Sequence, residues 1–394
     1  MDLSAVLRHA VLNGASDVHL KLGQPPVLRQ DGELEPAAGF PALSEEDLQE
    51  VLERVTAATP RRRQLFEETG DLDVAYSEPG LPRFRVNGFR QRGAISFAFR
   101  VIPDVVPGFE ELHLPPGVVR LAEEQRGLVL VTGATGAGKT TTLAAMIDHI
   151  NRTRRQHIVT IEDPIEIIHP DRSCIVNQRE VGLDTESFSQ ALRRVLRQDP
   201  DVILIGELRD AESARVALQA AESGHLVFST LHTLDAAETV GRIVDYFPPG
   251  KQQQVISVLA GVLRGVISQR LLPALGGGRI PAVEVMITNA RIAELIRERR
   301  TEEIPAAIAE GEYFQMQTFT DSLIDLVLRG LVDRETAANA ATNRHDFEIA
   351  LEHAEKLARL ASSGEEGGPS EPELPPLAAA PGEPQTPTLR LAGG

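Results

Sequence analysis

Residues 127–142 read GLVLVTGATGAGKTTT, and no other stretch constrains the chain as tightly. A short apolar run, Leu128 to Val131, ends at Gly133. Gly136 and Gly138 follow, then Lys139, Thr140 and Thr141, and the next residues, LAAMIDHI, are apolar at helical spacing. The pattern is strand, glycine loop, helix, with G-x-x-x-x-G-K-T at the junction. Glycines let successive peptide N–H groups converge on an anion, and the helix N-terminus behind them adds partial positive charge. Gly133, Ala134, Thr135, Gly136, Ala137, Gly138, Lys139, Thr140 and Thr141 are therefore expected to cradle a phosphorylated ligand. Lys139 would reach the β- and γ-phosphates, and the Thr140 hydroxyl would reach Mg2+. Only four of the chain's 40 basic side chains are lysines, and one stands here.

The other segments with chemical content also follow short apolar runs. In DPDVILIGELRD, residues 199–210, Val202 to Ile205 has the length of a buried strand, and Glu207 stands just past its end. A carboxylate there, beside a phosphate loop, can hold Mg2+ or orient the attacking water. In HIVTIEDPIEIIH, residues 157–169, Ile158 to Ile161 precedes Glu162, Asp163 and Glu166. Carboxylates at a strand end are costly to bury unless a cation or a proton transfer uses them. In GHLVFSTLHTLDAAETVGRI, His232 follows the run beginning at Leu226 and can sense a γ-phosphate; a core histidine is the alternative. His225 and His232 lack a third ligand at metal spacing, so zinc is not expected. In RFRVNGFRQRG, Arg83, Arg85 and Arg90 lie at alternate or turn-end positions; such arginines usually make a solvated face but can clamp phosphates across an interface.

The chain has 394 residues, room for two or three domains. Residues 1–102 alternate amphipathic helices with half-buried strands, a small α+β domain. Residues 103–117 hold four prolines and two glycines and read as an ordered linker. From 118 to about 345 strands and helices alternate, an α/β pattern with a mostly parallel sheet. Helices are expected over KQQQVISVLAGVLRGVISQRLL, ARIAELIRER and FTDSLIDLVLRG, and over 346–362; residues 363–394 have a disordered composition. The net charge of −17 argues against a nucleic-acid coat, a single cysteine fits a reducing compartment, and no apolar run is long enough to span a membrane.

Together and in this order, these segments resemble the secretion ATPase superfamily, and within it the PilT-type retraction ATPases of type IV pili. GASDVHL and RFRVN match the N-terminal domain, GATGAGKTTT the Walker A loop, and TIEDPIE the Asp box. ILIGELRD matches the Walker B strand, GHLVFSTLHT the His box, and ARIAELIRE a segment that the family needs for retraction. The resemblance implies a PAS-like N-terminal domain, a RecA-like ATPase domain, ATP and Mg2+ as ligands, and a homo-hexameric ring. It implies Lys139 on the phosphates, Thr140 and Glu207 at Mg2+, Glu166 as general base and His232 as γ-phosphate sensor. Arg83, Arg85 and Arg90 are then arginine fingers. The implied partner is the pilus inner-membrane platform protein, with paralogous pilus ATPases as further partners and no nucleic acid; the implied place is the cytoplasmic face of the inner membrane. The expected function is retraction, with a PilU-like accessory role, a secretion or pilus-assembly ATPase, and a nucleotide-gated scaffold as alternatives. Assembly ATPases usually carry a further N-terminal domain and a four-cysteine zinc site, which this sequence does not contain.

Overall fold

The computed structural model describes residues 1–364 apart from Asp31, Pro103 and Asp104; the expected disordered tail lies almost wholly outside the described residues. Two sheets organise the chain. The first has six strands: β1 (Asp17–Lys21), β2 (Val27–Gln30), β3 (Glu33–Pro36), β4 (Asp71–Tyr76), β5 (Phe84–Gln91) and β6 (Ala94–Val101). They lie in the order β3-β2-β1-β6-β5-β4, with every neighbouring pair antiparallel. Alternation along β4 and β5 puts Leu72, Val74, Phe84 and Val86 on the face covered by helices Leu3–Leu12, Glu45–Thr56 and Pro60–Thr69. The Glu45 helix starts where Ser44 dictates. Asp47 N–H donates to the Ser44 hydroxyl at 3.2 Å, and Ser44 N–H donates to the Asp47 carboxylate at 2.9 Å.

The second sheet has seven strands: β7 (Gly127–Thr132), β8 (His157–Glu162), β9 (Ile175–Glu180), β10 (Val202–Ile205), β11 (Leu226–Leu231), β12 (Leu263–Pro273) and β13 (Arg279–Ile287). Their order is β13-β12-β7-β11-β10-β8-β9, parallel from β12 to β9 and antiparallel only at β13. Every residue of β7, β10 and β11 is buried, as expected for central strands with helices on both faces. Each buried Leu, Val or Ile there contributes about 1.5–3 kcal/mol.

One expectation fails in an instructive way. The segment expected as a helix from Lys251 to Leu272 is helical only in Pro249–Val262; at Leu263 the backbone turns extended and β12 begins. Over a short apolar run, the spacing fits a buried helix and a buried strand equally well. What decides is the vacancy beside β7, where β12 finds a parallel partner on one side and β13 on the other. A second feature escapes the sequence pattern. Helices Phe319–Leu328, Arg334–Ala340 and Arg344–Gly364 do not join the main core; they build a small one of their own with Leu272, Ile280 and Ala282 of β12 and β13. Among the described residues no helix is long and apolar enough to cross a membrane.

Glu284, on β13, is buried, and its Oε1 accepts the N–H of Ala236 at 2.9 Å. Burial pushes its carboxyl up from 4.5 to about 7, against the Ala236 N–H, the Ser268 hydroxyl and Arg270, which favour the charged form. Between those values the unfolded chain has released this proton and the native chain keeps it, so stability falls as pH rises through the window and levels off above it. The group contributes a loss of at most about 3 kcal/mol. Glu284→Gln should remove that slope, read as urea midpoints of both proteins from pH 5 to 8; parallel slopes would refute the assignment.

Candidate nucleotide-hydrolysis site

The carboxyl ends of β7, β11, β10 and β8 open on one cavity of about 930 Å3, and residues 135–142 of the glycine loop form part of its wall. Gly133 sits at φ 141°, and a Cβ there would lie 2.5 Å from the carbonyl oxygen of Gln269 on β12. Gly138, at φ 87°, precedes helix Lys139–Thr153 as its cap. Both positions lie where side chains are strained, so the loop can take this path only with glycine. Gly133 and Ala134 do not line the cavity; their carbonyl oxygens accept from Lys139 Nζ at 2.8 and 3.0 Å.

Lys139 belongs to a chain of alternating polarity. Its ammonium also makes a long 3.5 Å contact with Nδ1 of His232. That makes Nδ1 the acceptor and leaves the proton on Nε2, which faces Glu207 Oε1 at 3.0 Å. The other Glu207 oxygen accepts from Arg209 Nε at 2.8 Å. Burial lowers the Lys139 pKa from its ordinary value, while the carboxylates of Glu207 and Glu166 pull the other way.

The three acids at the end of β8 and just past it part company. Glu162 is buried, accepts from the Thr160 hydroxyl at 2.6 Å and from Gln178 at 3.2 Å, and burial raises its pKa. Asp163 faces Arg209 at 3.9 Å. All three, Glu166 included, line the cavity. Among the described residues no group of three His, Cys, Asp or Glu side chains could hold a metal ion.

The first sheet supplies the opposite wall. Arg85 lines the cavity and binds Asp73 through two nitrogens, at 2.9 and 3.3 Å. Arg83 and Arg90 do not line it. Arg83 is paired with Glu180 of β9, and Arg90 lies over the Phe66 ring, 5.3 Å from its centroid. Sequence reasoning missed Arg100, which stands directly across from Arg85 in the β5–β6 register, also lines the cavity and donates to Asp17 at 2.9 Å. It missed Arg209 as well, although that residue stands inside the GELRD segment two places beyond Glu207. His169 lines the same cavity in a buried setting that lowers its pKa to about 4, so it is neutral near pH 7.

Residues 112–303 match the family model described as Type II/IV secretion system protein. The type IV pilus retraction ATPase PilT of Pseudomonas aeruginosa is 46% identical over 347 residues, which cover 88% of this chain and 100% of that protein. The type IV pilus ATPase PilU of the same organism is 38% identical over 89% of this chain and 91% of its own length. A crystal structure of the pilus retraction motor PilT with bound ADP superposes with a TM-score of 0.82 at 46% identity, covering 89% of this chain and 99% of that one. With a glycine loop, acids and a histidine gathered on one strand rim, and with relatives alike over nearly their whole length, the chain belongs to the PilT family of secretion ATPases.

Proposed function

We propose that the protein is an ATP-hydrolysing motor that works as a homo-hexameric ring and drives retraction of type IV pili. The observation that carries this reading is the single cavity in which the glycine loop, Glu166, Glu207 and His232 meet an arginine-bearing sheet from the other domain. Phosphate charge placed there would meet the N–H groups of residues 135–141, Lys139 and the start of helix Lys139–Thr153. Thr140 and Glu207 offer the hard oxygen donors that Mg2+ accepts alongside phosphates, where it would neutralise developing charge. Glu166, free of the ion pairs that occupy Asp163 and Glu207, is the group we assign to take the proton of the attacking water. His232, between Lys139 and Glu207, would report the presence of the γ-phosphate to both.

Arg85 would stabilise charge from within the protomer. Arg83 and Arg90 would do so only after the angle between the domains changes, or in the site of a neighbouring subunit. Motion between the domains, about the segment around residues 103–117, would then pass from hydrolysis to the ring. The partner on this reading is the pilus platform protein, reached from the inner face of the inner membrane. PilU-like and PilT-like roles share this site, so the cell decides between them: deletion of the gene should leave hyperpiliated, immobile cells if this chain is the principal retraction motor. Cells that lose their pili would instead mark an assembly motor.

Lys139→Ala should lower kcat/KM for ATP by roughly a hundredfold or more while the melting temperature holds. Turnover at the wild-type level would refute the phosphate site. Glu166→Gln should leave MgATP bound but reduce hydrolysis by roughly a thousandfold. If Glu207→Gln alone has that effect, the base is Glu207.

A further inference from the structure

Glu180 is the last residue of β9 at the edge of the seven-stranded sheet, in a stretch, IVNQRE, that carries no motif. It does not line the hydrolytic cavity, yet its buried carboxylate joins both domains to the turn that carries Glu166. Glu180 Oε2 takes the guanidinium of Arg83, which belongs to the six-stranded domain. The same oxygen accepts the backbone N–H of Ile165 at 3.2 Å, one residue before Glu166.

The backbone around Glu180 has little freedom. Its N–H donates to the Asp184 carboxylate at 2.8 Å, its carbonyl accepts from Asp184 N–H at 2.9 Å, and the next N–H, of Val181, donates to Glu162 O at 2.9 Å. On the far side, Arg83 O accepts the N–H of Ile102 at 2.8 Å, just past the end of β6 and at the start of the connection between domains. The side chains of Arg83 and Glu180 are 15% and 7% exposed. Separating such a pair strands a charge in the interior, which is strongly unfavourable unless another partner replaces the first.

We propose that Glu180 is a positioning residue of the hydrolytic site, tying contact between the two domains to the placing of Glu166. The proposal rests on the reading of Glu166 as general base. With the domains seated, Arg83 neutralises Glu180, and the shared oxygen holds the Ile165 N–H. The turn is then pinned at both ends, at Glu162 by Thr160 and Gln178 and at Ile165 by Glu180. When the domains part, Glu180 loses its counter-charge, the hold on Ile165 changes, and Glu166 shifts with it. A shift of 1 Å in a catalytic group can cost about a hundredfold in rate, so a small change in this contact suffices to gate hydrolysis.

The test is steady-state ATPase kinetics on assembled rings of Glu180→Gln, Arg83→Gln, the double variant and Glu166→Gln. Glu180→Gln should lower kcat roughly tenfold with KM for ATP nearly unchanged, because the nucleotide contacts are intact. Arg83→Gln should lower kcat at least as far, since the same guanidinium is also assigned to stabilise phosphate charge, and the double variant should be no slower than Arg83→Gln, since the Arg83–Glu180 contact is lost in all three. Wild-type kcat in Glu180→Gln, or losses that multiply in the double variant, would overturn the coupling. Should Glu180→Gln fail to assemble, Glu180→Asp keeps the charge on a shorter arm and should show a smaller fall in kcat alone; a rise in KM alone would count against the proposal. Glu166→Gln separates the two readings. If it is inactive while Glu180→Gln turns over normally, only the coupling fails; if it hydrolyses ATP normally, the general-base reading fails and the coupling falls with it.

Discussion

Parallel pairing of four buried strands is the constraint from which the site follows. Because β7, β11, β10 and β8 run the same way, their carboxyl ends must emerge on one rim. The register sharpens this. Leu231 pairs with Thr132, so His232 emerges beside Gly133, and Ile205 pairs with both Ser229 and Ile161, so Glu207 emerges between the histidine and the acids after β8. No side-chain interaction is needed to gather these groups. The apolar runs that make each strand buried on both faces also deliver its polar terminus to the cavity.

Electrostatics then arranges what the sheet has gathered. Lys139, His232, Glu207 and Arg209 form a row in which each charge faces a complementary atom, so the half-buried cation is satisfied before any ligand arrives. Loop carbonyls hold the ammonium, and these are neutral acceptors that an anion outcompetes. Glu162 shows the opposite outcome. It is buried deeply enough for desolvation to dominate, and at the cavity wall it braces the turn through Thr160 and Gln178. Three acids within five residues thus meet three environments, which is why their roles are assigned differently.

The six-stranded domain faces the rim with arginines held by their own acids: Arg85 by Asp73, Arg100 by Asp17. Pairing on the home domain fixes the direction of each guanidinium and limits the entropy lost when a second anion binds. Arg83 differs because its acid, Glu180, belongs to the other domain, and that single difference makes it the point where domain position and site geometry meet.

Much of this was legible in the chain. The glycine loop, the buried strand ending at Ile205 and the α+β character of the first domain follow from local rules: glycine where φ is positive and apolar runs of strand length. The family resemblance could be read there too, since it rests on residues in order. Other features were not legible, because they depend on pairings between distant segments. Leu263–Pro273 became a strand only because β7 and β13 offered partners, Arg100 reached the cavity only through its register with Arg85, and Glu180 acquired a role only when the domains met. Sequence by itself determined the glycine loop and the polar groups that follow each buried strand, since their chemistry and spacing are local. Tertiary structure alone decided which carboxylate is buried, which is paired and which stands open, because burial and counter-charge are set by neighbours that the chain brings from far away.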